Sequence, residues 1–243
     1  MLVCVALTVL TVTGCAGNPP TNSLAAPQKI SSNSISTTSP TGGQTASRNS
    51  VLNPGTINPQ PKWIPIPNVV LARSPVPGQS GEQLELVDVK GNFAKNPIVG
   101  PFQGNNWTGQ FQLWLVDPLG RIVSKLSLPP NQYTLFMRNF QFHFADYNGD
   151  GHPDFTIGQR ADSNGYWYQL FTIKSNELSR LPTPSSELFV SDFTYSPLLQ
   201  RVQPNGFALK YYANSQAKWF KATYSWEGTK FIQSDVQAIP PSG

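Results

Sequence analysis

The chain has 243 residues, of which 12% are charged and 12% are aromatic, with 23 Pro and 19 Gly. This composition favours short strands joined by many turns and disfavours a helical protein. The net charge of +4 comes from 17 basic and 13 acidic residues with no Lys/Arg cluster, which excludes a nucleic-acid-binding surface.

The N-terminus predicts export and lipidation. An uncharged apolar run over residues 2–12 has the length of a signal-peptide core and is too short to span a bilayer. It ends in VTGC at 12–15, which resembles the lipobox of bacterial lipoproteins. The resemblance implies removal of residues 1–14, acylation of Cys15 and an extracytoplasmic protein anchored to a bacterial cell membrane or outer membrane. The alternative is an ordinary secretory signal that contains a Cys.

The segment after Cys15 predicts a tether. Residues 16–60 are dominated by Ser, Thr, Asn, Gln, Pro and Gly and contain no aromatic and no acidic residue. Such a segment buries too little apolar area to offset its ordering entropy, so we expect disorder. We therefore divide the chain into a signal peptide at 1–14, a lipidated tether at 15–61 with a reach of roughly 40 Å, and one domain at 62–243.

The remaining sequence predicts strands and turns. Prolines at 61, 65 and 67 make the first apolar segment extended. Alternating or aromatic-rich runs predict strands at 111–116, 121–128, 133–144, 154–159, 166–173 and 207–213, and a hairpin over 217–233. No stretch has a 3.6-residue period. We expect a single all-β domain of mainly antiparallel sheets, propeller-like or sandwich-like, preceded by a disordered tail.

Aromatic and basic side chains in these strands have two interpretations. Five tryptophans could form a ligand platform or belong to the core: Trp107, Trp114, Trp167, Trp219 and Trp226. The core is the simpler interpretation, because each lies in an alternating strand pattern. The lysines of the C-terminal strands are scattered, which predicts a solvated sheet face.

An acidic loop at 146–154 predicts a calcium site. Its spacing places oxygen-bearing side chains at alternate positions before a glycine, at Asp146, Asn148, Asp150, Gly151 and Asp154. Calcium takes six to eight oxygen ligands, and a glycine at the sixth position permits the sharp turn that a surrounding loop needs. The carbonyl of His152 completes the predicted ligand set. The alternative is a polar turn without a metal, since Asp, Asn and Gly all favour turns.

The loop is not an EF-hand, because its twelfth position is Ile157 and a strand follows where a helix would be required. DYNGDGHPDFTIG at 146–158 instead resembles the calcium loop of FG-GAP and VCBS repeats, known from integrin α-subunit propellers and bacterial surface proteins. That resemblance implies a Ca²⁺ ion between two strands of a sheet, most simply as a structural brace. A lipoprotein with a single such loop also resembles envelope lipoproteins related to periplasmic lysozyme inhibitors.

The sequence predicts a binding protein and not an enzyme. It has two His and no G-x-S-x-G, H-E-x-x-H or Gly-rich phosphate loop. We expect a non-catalytic module of the cell envelope that binds a protein or a glycan. The alternatives are an immunity or inhibitor protein against a peptidoglycan hydrolase, and an envelope hydrolase. Asn105, Asn106 and Trp107, within the Gly- and Asn-rich segment 96–109, are the candidate partner-binding loop.

Overall fold

The computed structural model describes residues 60–240, which form β-strands and no helix. The prediction of an all-β, mainly antiparallel domain is therefore confirmed. Within this range no helix is long and apolar enough to cross a bilayer. The signal peptide predicted at 1–14, the acylated Cys15 and nearly all of the tether predicted at 15–61 lie outside the described residues.

The first sheet is built on a long hairpin. Its strands are β1 (Ile64–Ile66), β2 (Val69–Pro75), β3 (Gln83–Asn96), β4 (Gly104–Val116) and β5 (Ile122–Ser127). β3 pairs with β1 and β2 along one edge and with β4 along the other, and β4 pairs with β5, all antiparallel. The alternation predicted for 111–116 is confirmed, because Phe111, Leu113 and Leu115 are buried.

The second and third sheets use the later strands in chain order. The second contains β6 (Phe144–Ala145), β7 (Asp154–Arg160), β8 (Tyr166–Lys174), β9 (Glu177–Leu181) and β10 (Leu188–Val190). Here β9 and β10 pair with different parts of β8. The third contains β11 (Gln200–Val202), β12 (Gly206–Ala213), β13 (Lys218–Trp226) and β14 (Phe231–Ile239). None of the three sheets closes into a barrel, which matches the sandwich-like alternative.

The three sheets share one apolar core. Buried side chains of every sheet form a single cluster, with Phe111 from the first, Phe155 and Phe171 from the second and Phe207 from the third. The second and third sheets are also joined through their backbones, because Ser191 N, just after β10, donates to the carbonyl of Lys210 in β12. Burial of these aromatic rings supplies the main driving force for folding.

The strand predicted at 133–144 is wrong for most of its length. Only Phe144 enters a strand, and the preceding residues form two isolated bridges, at Phe136 and Phe140. The alternation was still informative about burial, since Phe136 and Phe142 are buried. The segment is irregular because side-chain oxygens, and not a neighbouring strand, satisfy several of its backbone amides.

Asp88, in β3, is buried without compensation. It lies at a β-bulge, is fully buried, and has no hydrogen-bond partner for either carboxylate oxygen within residues 60–240. Gly91 and Gly109 pack directly on the carboxylate, and a Cβ at either glycine would collide with it. Burial raises the pKa of Asp88 to about 6, although the nearby backbone amides of Lys90 and Gln110 act in the opposite direction.

Asp88→Asn should flatten the pH dependence of stability. Because the pKa of Asp88 is higher in the folded chain than in the unfolded chain, ionisation of Asp88 increasingly destabilises the folded chain as the pH rises from about 4 through about 6. The variant should match the wild type near pH 4.5 and exceed it at pH 7.5 by on the order of 1–2 kcal/mol. Urea denaturation at both pH values measures this, with the exposed Asp162→Asn as the control. Parallel pH profiles of wild type and Asp88→Asn would contradict it.

Candidate functional site

The acidic loop closes the hairpin between β6 and β7. Ala145 pairs with Asp154 at its base, so residues 146–153 form the turn. Gly149 and Gly151 have φ angles of 75° and 82°, in the left-handed region that other residues rarely adopt. The two glycines therefore let the chain curl back on itself, as the sequence predicts for Gly151.

The carboxylate of Asp146 organises this curl. One of its oxygens accepts hydrogen bonds from Gly149 N at 2.7 Å and Asp150 N at 3.1 Å, and the other accepts from Gly151 N at 3.1 Å. The side chain of Asn148 accepts from Asp150 N, and that of Asp150 accepts from His152 N, both at 3.0 Å. Successive side-chain oxygens thus face the inside of the loop and hold its backbone amides.

Asp154 supplies a buried carboxylate oxygen without a partner. Its Oδ2 accepts from Tyr147 N at 2.8 Å and Asn148 N at 3.3 Å. Its Oδ1 is buried and has no hydrogen-bond partner within residues 60–240, and the residue has no exposed surface. Burial raises the pKa of Asp154 to about 6, with the neighbouring Thr172 hydroxyl and the loop amides acting in the opposite direction. An unpaired buried carboxylate is costly unless a cation or proton neutralises it.

Asp150 is held from outside the loop. Lys174, at the end of β8, places its Nζ 3.1 Å from Asp150 Oδ2. Although partial burial acts in the opposite direction, the His152 amide and the Lys174 ammonium keep the pKa of Asp150 below its usual range. With Asp150 turned to Lys174, no three Asp, Glu, His or Cys side chains of the described range are grouped closely enough to hold a metal ion.

The loop also contacts the third sheet. Tyr147 is fully buried, and its hydroxyl accepts a hydrogen bond from Leu199 N, just before β11, at 2.9 Å. Its ring packs edge-on against Phe207 of β12, with centroids 5.6 Å apart. Gly149 lies against Asn205 in the β11–β12 turn. Tyr147 could not be singled out from the sequence, because an aromatic residue between two polar loop residues belongs to no periodic pattern.

The three residues predicted as a partner-binding loop differ in their exposure. Asn105 is exposed, but Asn106 and Trp107 are buried, and all three lie in β4. Trp107 forms an isolated bridge with Phe136 and belongs to the core. Direct partner contact through Asn106 or Trp107 is therefore disfavoured, because both are needed inside the fold. The other four tryptophans named above are partly exposed.

The exposed tip of this hairpin is residues 97–103, which connect β3 and β4. Val99 is 85% exposed and Phe102 is 47% exposed. The side-chain amides of Asn96 and Asn106 both donate to the carbonyl of Phe102 at 2.9 Å, which fixes the tip. Arg160 lies over the Phe102 ring, 5.8 Å from its centroid. The tip thus presents apolar side chains on an ordered backbone.

Tyr147→Phe should destabilise the domain by about 1–3 kcal/mol, because the buried amide of Leu199 would lose its acceptor while the ring still fills its site. Tyr212→Phe is the matched control, since that hydroxyl makes no hydrogen bond within residues 60–240 and its side chain is partly exposed. Urea denaturation of both variants measures the difference. Equal midpoints would show that the contact between the loop and the third sheet contributes nothing.

Comparison with known proteins identifies no relative of this chain: no family model, no curated protein and no solved structure matches it. Its function has to be argued from its own residues.

Proposed function

We propose that this protein is a membrane-anchored, non-catalytic binding module of the bacterial envelope whose β domain is braced by Ca²⁺ in the 146–154 loop. The observation that carries the calcium assignment is the fully buried carboxylate of Asp154, which has no ion-pair partner within the described residues, lies beside the Thr172 hydroxyl, and closes a loop lined with further oxygens. The VTGC sequence at 12–15 supports the lipid anchor.

The donor set suits a hard divalent cation. Asp146, Asn148, Asp150, Asp154 and the carbonyl of His152 offer oxygen atoms alone, which is the ligand type of Ca²⁺ and not of soft transition metals. A bound divalent ion would neutralise the buried charge of Asp154. Asp150 would then be shared between the ion and Lys174, so the lysine acts as a competing cation.

Calcium in this loop would act as a brace between sheets. The loop closes the β6–β7 hairpin and contacts the third sheet through Tyr147 and Gly149. A ligand that binds only the folded chain stabilises it by about 2.7 kcal/mol when present at 100 times its Kd. The ion would therefore hold the third sheet against the second, which fits a protein that works outside the cell without disulfides.

Two substitutions should change the calcium affinity in opposite directions. Asp154→Asn removes the buried charge and should weaken binding by tenfold or more, with loss of the calcium-induced rise in Tm. Lys174→Met removes a competing cation from Asp150 and should tighten binding by about two- to tenfold, an effect that shrinks at high salt. Calorimetry and thermal unfolding measure both, with Asp162→Asn as the control.

No calcium binding by the folded wild-type protein would overturn the assignment and leave the loop a polar turn. Binding that Asp154→Asn leaves intact would move the ion to another site. Equal affinities of Lys174→Met and wild type would show that Lys174 and the ion do not share Asp150.

A second candidate function is inhibition of a peptidoglycan hydrolase, favoured by the exposed and ordered tip at 97–103. Inhibitors gain affinity when a loop is held in its bound shape before contact, because less conformational entropy is lost on binding. The two amide bonds to the Phe102 carbonyl provide that order, and Val99 and Phe102 provide apolar anchors.

Phe102→Ser should abolish or weaken inhibition at least tenfold if the tip enters a hydrolase cleft, because it removes a central apolar anchor. Leu119→Ser is the matched control, since Leu119 is 76% exposed in a different turn. The measurement is lysis of purified peptidoglycan by lysozyme-type hydrolases with each variant added. Full inhibition by Phe102→Ser, or none by the wild type, would contradict this candidate.

A further inference from the structure

A groove of mixed apolar and polar lining lies where the second sheet meets the third. It has a volume of about 360 Å³ and is bordered by the end of β10, the segment before β11 and the outer face of β12 and β13. The polar side chains on its border are Ser191, Asp192, Gln200, Lys210 and Lys221, and the 62% exposed Leu198 adds an apolar rim. The groove is distinct from the calcium loop and from the tip at 97–103.

Two lysines lie side by side on the sheet face that borders this groove. Lys210 of β12 and Lys221 of β13 are directly opposite partners in the antiparallel ladder. Like charges at such positions repel each other. Neither ammonium has an ion-pair partner within residues 60–240, whereas Arg73, Arg121 and Lys174 each do. Within that range neither lysine is neutralised by direct contact, although the exposed carboxylate of Asp235 lies on the same face, two residues along β14 from the position opposite Lys221.

An aromatic pair continues the same face. Tyr212 and Trp219 are the next directly opposite pair on that side of the sheet, two residues along from the lysines. Their rings are 5.6 Å apart at 62°, and both side chains are partly exposed. Gln237 of β14 lies directly opposite Lys221, and its side-chain amide donates to Asp235 Oδ2 at 2.6 Å. Apolar ring faces, amides and ammonium groups thus occur in one row.

Asp192 lies on the groove border but does not neutralise the lysines. Its Oδ1 accepts hydrogen bonds from the backbone N and the hydroxyl of Thr194, at 2.7 and 2.6 Å. The carboxylate is therefore held in its own turn. With Asp235 counted beside Asp192, this face carries two positive and two negative charges at neutral pH, but both carboxylates are held by their own hydrogen bonds and neither is ion-paired to Lys210 or Lys221. The remaining oxygen of Asp192 is suited to accept a hydrogen bond from a ligand hydroxyl.

We infer that this groove binds a carboxylate-bearing glycan strand, with a sugar carboxylate between Lys210 and Lys221 and a neighbouring sugar ring against Trp219 and Tyr212. A sugar presents apolar C–H faces to aromatic rings and a rim of hydroxyls to amides and carboxylates, so a hexuronic acid matches each group in the row. The inference rests on the proposed binding role, for which it names the ligand class and surface, but it does not depend on calcium.

The test uses oligomers of galacturonic acid and of guluronic acid, with methyl-esterified oligogalacturonate as the uncharged analogue. We expect the full chain to bind at least one acidic oligomer tenfold or more tightly than the ester, with affinity falling as salt rises. Lys210→Gln/Lys221→Gln and Trp219→Ala should each weaken binding at least tenfold in calorimetry. Lys218→Gln/Lys230→Gln, which makes the same charge change elsewhere on the domain, should leave affinity unchanged.

Folding is monitored independently. The lysine pair variant relieves a repulsion, so its Tm should equal or exceed that of the wild type. Lack of binding to both acidic oligomers by the wild type would overturn the inference, as would equal affinity of the two double lysine variants. Preferential binding to poly-glutamate or to phosphatidylglycerol vesicles would assign the lysines to another partner and overturn it too. The calcium titration is a separate measurement, so a failure of the proposed calcium site is distinguished from a failure of glycan binding.

Discussion

Buried tyrosine hydroxyls hold the irregular segments of this protein against one another and against its sheets. Tyr195 accepts a hydrogen bond from Met137 N, and Tyr147 accepts one from Leu199 N, at 2.8 and 2.9 Å. Tyr133 and Tyr168 donate instead, Tyr133 to Gln169 Oε1 and Tyr168 to the carbonyl of Thr194. Burial raises the pKa of all four phenols well above the usual range, so each stays neutral. A buried backbone amide without a hydrogen-bond partner is costly. The tyrosine hydroxyls that accept from Met137 N and Leu199 N therefore allow the chain to be irregular there, without a neighbouring strand to bind those amides.

The same constraint explains which parts of the fold were predictable. The strand at 111–116 and the turn after it follow from local pattern, and Asp117 caps that turn by accepting hydrogen bonds from Leu119 N and Arg121 N. The segment 133–144 has an equally clear alternation but pairs with strands only at single residues, Phe136 with Trp107 of β4 and Phe140 with Ala72 of β2. Its amides are bound by Gln159, Tyr195 and Ser74, which are up to 68 residues distant in the chain. The alternation of a segment predicts which of its side chains are buried. Whether the segment forms a strand depends on distant residues, which the local pattern does not reveal.

The contacts of the loop at 146–154 are likewise of two kinds, local ones that the sequence predicts and long-range ones that it does not. Spacing alone predicts that Asp146, Asn148 and Asp150 point into a curled backbone, since each binds an amide two to five residues away. The contacts that connect the loop to the rest of the domain are long-range. Lys174 is 24 residues from Asp150, and Leu199 is 52 residues from Tyr147. The inward-facing oxygens of the loop are therefore predictable from sequence, whereas the ion pair with Lys174 and the contact between Tyr147 and Leu199 are visible only in the structure.

Asp88 shows why a raised pKa does not by itself identify a site. Asp88 and Asp154 are both fully buried, both have an oxygen without a partner in the described range, and burial raises both pKa values to about 6. Around Asp88 the neighbours are the backbones of Gly91 and Gly109, packed so closely that even a Cβ would collide. The carbonyl oxygen of Lys90 is also close, but Asp88 lies within strand β3 and not in a loop of side-chain oxygens. Asp154 borders a loop of side-chain oxygens, and that difference in surroundings is what makes it a candidate ligand.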